Sequence, residues 1–61
     1  MWYVIEDDID VQAGGFGHVT PGVVYDQRNM MMLVYEVGDV KATCFLEEEE
    51  ARSYALTVHG V

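Results

Sequence analysis

The sequence predicts a small α+β fold, in which an antiparallel sheet of three or four strands carries one C-terminal helix on one face. Short runs rich in aromatic and β-branched residues are separated by glycine-rich or polar segments, as expected for strands and turns. Two apolar runs flank Gly38-Asp39, and the final third of the chain has apolar residues at helical spacing. With 61 residues, the chain is expected to form a single domain over residues 1–61.

The first strand is predicted over residues 2–6, WYVIE, because aromatic and β-branched residues favour strands. Weak alternation of acidic and aliphatic residues continues as far as Val11. The first strand therefore either continues to Val11 or breaks near Asp7. A second, short strand is predicted over residues 23–25, followed by a turn at residues 26–29.

A glycine-rich loop is predicted over residues 12–22, which hold four glycines and the only proline. Its AGGFGHV stretch, residues 13–19, resembles a fragment of the protein-kinase glycine-rich loop at Gly15, Phe16, Gly17 and Val19. The chain lacks the strand lysine and the other kinase motifs, so no nucleotide site is predicted. The loop is expected to be a mobile connection whose Phe16 either packs in the core or anchors a partner.

A β-hairpin is predicted over residues 30–45, with a type II′ turn at Gly38-Asp39. This register places Glu36 opposite Lys41 and makes one sheet face almost wholly apolar, with Cys44 as a core residue. The other face carries a methionine-rich patch, the candidate oligomer interface: Met30, Met32, Val34 and Phe45.

A helix is predicted over residues 46–59, with Gly60 just after its end. Its apolar stripe follows the i, i+3, i+4, i+7 spacing at Ala51, Tyr54, Ala55 and Val58. Four consecutive glutamates occupy the first turn, where the helix dipole favours negative charge.

The chain carries eleven acidic and three basic residues, for a net charge of −8. Such a surface repels nucleic acid and anionic membranes, so neither is expected as a direct partner. One interpretation is that the acidic residues only keep a small apolar protein soluble. The other is that they attract a partner protein with a basic surface. The candidate partner-binding residues are Asp7, Asp8, Asp10, Phe16, Glu47, Glu48, Glu49 and Glu50.

Several classes of function are not supported by the residue pattern. The soft metal ligands His18, His59 and Cys44 match no zinc spacing, so no metal and no cofactor are predicted. No nucleophile, base and pocket can be assigned together, and the protein is not expected to be an enzyme. A single cysteine and the absence of a recognisable signal peptide predict a cytoplasmic location.

Two functions remain as hypotheses. The first is a small acidic protein-binding module that inhibits or regulates a larger protein, in its sharpest form as a mimic of nucleic acid. The alternative is a structural or assembly protein that forms a homo-oligomer through the methionine-rich sheet face. A homodimer or an obligate partner is expected in both cases, because 61 residues cannot easily cover two apolar sheet faces.

Overall fold

The fold is taken from a computed structural model that describes residues 1–12 and 15–59. The α+β class predicted from the sequence is confirmed, with a three-stranded antiparallel sheet and the C-terminal helix packed on one face. Over the described residues the elements are β1 (Trp2–Ile5), β2 (Ile9–Val11), β3 (Gly17–Val19), β4 (Val24–Asp26), α1 (Gln27–Val37), β5 (Ala42–Phe45) and α2 (Glu48–Val58).

The three-stranded sheet has the order β4-β1-β5. Both outer strands run antiparallel to β1, with Trp2 opposite Asp26 on one side and opposite Phe45 on the other. The outer strands are therefore parallel to each other, and α1 is the crossover that connects them. Strands β2 and β3 form a separate two-stranded antiparallel sheet, in which Ile9 pairs with Val19.

The predicted hairpin over residues 30–45 is wrong, because its first half is the helix α1. Helical spacing of apolar residues is present there, at Met30, Leu33, Val34 and Val37. The side chain of Asp26 caps the N-terminus by accepting a hydrogen bond from Asn29 N at 2.8 Å. Gly38, at φ 84°, ends the helix and donates its N–H to the Val34 oxygen at 2.8 Å.

The N-terminal boundaries also differ from those expected. The chain leaves β1 after Ile5, and Asp7 accepts a hydrogen bond from Lys41 N at 2.8 Å, so the first strand breaks rather than running on to Val11. The predicted glycine-rich loop 12–22 contains the strand β3, and its positions 13 and 14 lie outside the described residues. The second predicted strand is displaced by one residue, to Val24–Asp26.

The sheet separates two apolar cores, one on each face. On the first face, α1 and the β2–β3 pair enclose buried aliphatic residues: Ile5, Val11, Val19, Met30 and Leu33. On the second face, α2 covers Val4 with Ala51 and Ala55. The two cores share β1, whose alternating side chains point to opposite faces.

The C-terminal helix matches its predicted apolar stripe. Ala51 and Ala55 are buried, and Tyr54 and Val58 pack half-buried against the same core. The helix begins at Glu48 and has no side-chain cap, so it is shorter than the predicted span 46–59. The predicted stop at Gly60 lies outside the described residues. In the described part of the chain, neither helix has the length and apolar character needed to cross a membrane.

Candidate protein-interaction surface

Helix α1 exposes a cluster of large apolar side chains to solvent. Leu33 is fully buried beneath it, whereas Tyr35 is 88% and Met31 64% exposed. The complete exposed set, called here the α1 apolar surface, is Met31, Met32, Val34, Tyr35 and Val37. Isolated exposed apolar residues are ordinary, but Met31, Val34 and Tyr35, at i, i+3 and i+4, lie on one side of the helix and form a patch of the kind that binds other proteins.

Part of this surface borders an open groove of about 430 Å³ between α1 and the sheet, called here the α1 groove. Its lining is Tyr3 from β1 together with Met30, Met31, Val34 and Tyr35 from α1. The groove exists because α1 packs on β4 and β1 and leaves the β5 side of that sheet face largely uncovered. Flexible methionines in such a groove adapt to partners of different shape.

The predicted oligomer interface does not form one surface. Met30 is only 8% exposed and belongs to the first core. Phe45 lies on the opposite face of the sheet, half-buried under α2, with its ring centroid 5.3 Å from that of Tyr54. Only Met32 and Val34 are exposed, and they lie on a helix rather than on a sheet face.

The N-terminal aspartates are engaged by other residues of the chain. Asp7 accepts the hydrogen bond from Lys41 N, and Asp8 Oδ1 lies 2.6 Å from His18 Nε2. Asp10 accepts a hydrogen bond from Gln12 at 2.9 Å. These contacts give all three acids a local structural role, in addition to the negative charge that they contribute.

The glutamates lie at the other end of the sheet. They follow β5, whose last residue Phe45 is opposite Trp2, whereas Asp7 lies beyond the far end of β1. Five residues of extended chain separate Trp2 from Asp7, about 16 Å. Glu49 and Glu50 are exposed, and Glu48 pairs with Arg52 one helical turn later at 2.7 Å. Asp7 and the glutamates therefore lie at opposite ends of the three-stranded sheet.

Phe16 packs against this protein's own core. It is half-buried beside the first core, and its ring centroid lies 5.6 Å from that of Tyr25. This contact anchors the start of β3 to the sheet. The stretch around Phe16 resembles a kinase glycine-rich loop in sequence, but its aromatic ring packs against Tyr25 of β4.

A half-buried carboxylate was not singled out from the sequence. Glu6 accepts hydrogen bonds from the hydroxyl of Thr43 and, at 3.3 Å, from the hydroxyl of Tyr54. It thereby connects β1, β5 and α2. The signal that would have identified it is a charged residue at the end of an apolar strand, which requires polar partners once buried.

Cys44 was predicted to be a core residue, but it is exposed on β5. It lies opposite Tyr3, which faces the α1 groove. Loss of solvent around the hydroxyl raises the pKa of Tyr3, and the neighbouring Cys44 adds to that effect. Cys44 is exposed because α1, which covers this face elsewhere, does not extend over β5.

A second groove, of about 470 Å³, lies between α2 and β4 and includes Arg52, Leu56 and His59. It is slightly larger, but most of its lining is small or polar and Leu56 is the large apolar side chain exposed there. The α1 groove is the better candidate for protein binding because its lining is apolar and contains two aromatic rings. Within residues 1–12 and 15–59, no three His, Cys, Asp or Glu side chains are placed to share a metal ion.

Searches against protein-family models, curated proteins and solved structures found no match to this chain.

Proposed function

We propose that this protein is a small acidic protein-binding module that regulates a larger protein by docking on it through the α1 groove. The observation that carries the proposal is the exposure of Met31 and Tyr35 beside that groove, in a chain with a net charge of −8. Exposed apolar and aromatic side chains supply affinity when a partner covers them. The acidic ends supply long-range attraction to a basic surface.

The separation of the acidic clusters bears on the sharpest form of this hypothesis. A mimic that occupies a nucleic-acid groove needs its negative charges along the surface that enters the groove. Here Asp7 and the glutamates lie at opposite ends of β1, and all three aspartates have partners within the chain. This arrangement favours steering of a partner by two charged ends over imitation of one phosphate backbone.

Self-association is the second candidate, and the same α1 apolar surface supports it. Covering its Met31, Val34 and Tyr35 would remove three large side chains from water. Two copies would each carry a charge of −8, however, and this repulsion favours a basic partner over a second copy at low salt.

The test is affinity capture from cells with three forms of the protein: wild type, Met31→Asp and Leu56→Asp. Met31 is 64% and Leu56 58% exposed, so the two variants remove similar apolar side chains and add the same charge on different surfaces. We expect the partner to be retained by wild type and by Leu56→Asp and to be lost with Met31→Asp. Retention should weaken as salt is raised. A protein that all three forms retain equally is not bound through the α1 groove.

A second variant tests the contribution of the charges. Replacing the exposed residues Glu49 and Glu50 by glutamine keeps their size and removes two negative charges. We expect slower association with the partner and an unchanged dissociation rate, because steering acts before contact. If the variant instead bound more weakly only because it dissociated faster, these glutamates would lie inside the interface.

A further inference from the structure

We infer that the outer edge of β5 binds an extended segment of the partner as a fourth strand of the sheet, with basic residues at both ends of that segment. This inference rests on the proposed function and specifies how the partner is recognised. Three features of the molecule support it: an unpaired strand edge, a nearby apolar groove, and acidic residues at both ends of the edge.

The register of the sheet shows which backbone groups are available. Glu6 N donates to the Lys41 oxygen at 2.9 Å, so Lys41 directs its backbone groups towards β1. In an antiparallel pair this direction alternates along the strand. The backbone N–H and C=O groups of Thr43 and Phe45 therefore also point towards β1, whereas those of Ala42 and Cys44 point away from it, to the outer edge. Among the described residues, the sheet ends at β5, and no further strand pairs with this edge.

Within Ala42–Phe45 the edge lacks most of the features that usually prevent pairing, although the strand has only four residues and Lys41 precedes it. Natural edge strands are protected by charged side chains, proline, bulges or a covering element. β5 has the sequence ATCF, with none of those side chains, and Cys44 is exposed on it. The opposite edge strand, β4, is contacted by both helices, whereas only α2 packs on β5 to a comparable extent.

The α1 groove lies over β1, one strand inwards from this edge, and provides specificity. Tyr3, which lines the groove, is directly opposite Cys44 on β5. A strand added to β5 directs alternate side chains towards the α1 face, where Met31 and Tyr35 are exposed. Backbone pairing at an edge combined with pockets for alternate side chains is an established mode of peptide recognition.

Charge decides between a partner strand and a second copy. If two β5 strands paired with Ala42 opposite Cys44, continuing that register beyond the strand would bring Asp39 of one copy opposite Glu47 of the other at both ends. The exposed Lys41 would lie opposite Phe45 and would not offset either acidic pair directly. Like charges directly opposite each other are destabilising. A segment with apolar alternate residues and lysine or arginine at each end would instead meet these carboxylates with opposite charge.

The first experiment uses the fluorescein-labelled peptide Lys-Lys-Val-Thr-Val-Thr-Val-Lys-Lys and fluorescence anisotropy with the full chain. We expect saturable binding that is lost when glutamate replaces the lysines. Two further peptides carry backbone N-methyl groups, on the valines in one and on the threonines in the other. Since a paired strand uses only one of its edges, one methylated peptide should bind at least about tenfold more weakly and the other should bind like the parent.

Protein variants locate the site. Met31→Arg should weaken binding of the basic peptide at least about tenfold, and Leu56→Arg, which adds the same charge beside the other groove, should leave it within about twofold. If both methylated peptides bind equally well or equally poorly, strand addition is refuted, while loss with Met31→Arg alone still supports docking in the α1 groove. If the parent peptide does not bind and sedimentation shows a dimer, a second copy occupies the edge and the inference is wrong.

Discussion

The N-terminal cap of α1 gives the most direct test of the fold, because it holds the element that the sequence pattern misassigned. Asp26 is the last residue of β4, and its side chain accepts the hydrogen bond from Asn29 N at 2.8 Å. Replacing it by alanine leaves that N–H without its partner and removes a negative charge from the positive end of the helix dipole. Asp26→Asn removes the charge but keeps an oxygen that can cap.

Loss of a cap by substitution with alanine typically costs about 1 kcal/mol. A domain of 61 residues has a free energy of unfolding of roughly 3–9 kcal/mol, so this loss is a substantial fraction of the total. At this chain length, 1 kcal/mol lowers Tm by about 4–8 °C. The asparagine variant loses only the dipole contribution, which is about 0.3–1 kcal/mol at an exposed site.

The assay is urea and thermal unfolding followed by far-UV circular dichroism. Asp39→Ala is the matched control, because it removes the same charge from an exposed position beyond the helix C-terminus. It should change the free energy of unfolding by no more than about 0.5 kcal/mol. If Asp26→Ala destabilised the protein no more than Asp39→Ala, the cap would not exist, and the start of α1 at Gln27 would be wrong.

Three further predictions test packing, backbone conformation and titration. Leu33→Ala removes a fully buried side chain from the first core and should lower the free energy of unfolding by about 2–5 kcal/mol in urea; a loss below 1 kcal/mol would contradict its burial. Gly22→Ala forces a side chain onto φ 95° and places a Cβ 2.6 Å from the His59 ring. It should cost about 1–3 kcal/mol, and most of that cost should remain in the double variant with His59→Ala if the backbone is the cause. Burial raises the pKa of Tyr25 above its ordinary value of 10.0, so the folded state favours the protonated phenol. Stability should therefore fall as pH rises above 10.0, and Tyr25→Phe should flatten that fall in unfolding experiments at alkaline pH.

The sequence was sufficient for the parts of the fold in which local and tertiary preferences agree. β1 is rich in aromatic and β-branched residues and is the central strand. α2 has an apolar stripe at helical spacing and packs by that stripe. The run Met30–Val37 is ambiguous, because a short apolar segment fits both periods. The residues that flank this run indicate a helix, since Asp26 and Gly38 are conventional capping residues.

Topology explains why the helix is preferred over the predicted hairpin. A hairpin would place residues 30–37 on the outer edge of β5, about 14 Å from β4 across the sheet, and only residues 27–29 would be left to span that distance. Once β1 lies between β4 and β5, those two strands run parallel, and a connection between parallel strands must cross a face of the sheet. Local residue preferences do not contain this constraint, because it depends on pairing with the N-terminal strand.

The same crossover connects the fold to the proposed interaction. α1 must run from the end of β4 to the start of β5, so it covers β4 and β1 and leaves β5 with an exposed Cys44 on that face and one unpaired edge. The β2–β3 pair packs against Leu33 on the same face of the sheet but does not extend to Cys44. The exposed Cys44 thus results from the position of α1 over β4 and β1, and the edge of β5 is open because no strand among the described residues follows it in the sheet. A partner strand on β5 would complete the sheet and cover the α1 groove in one step.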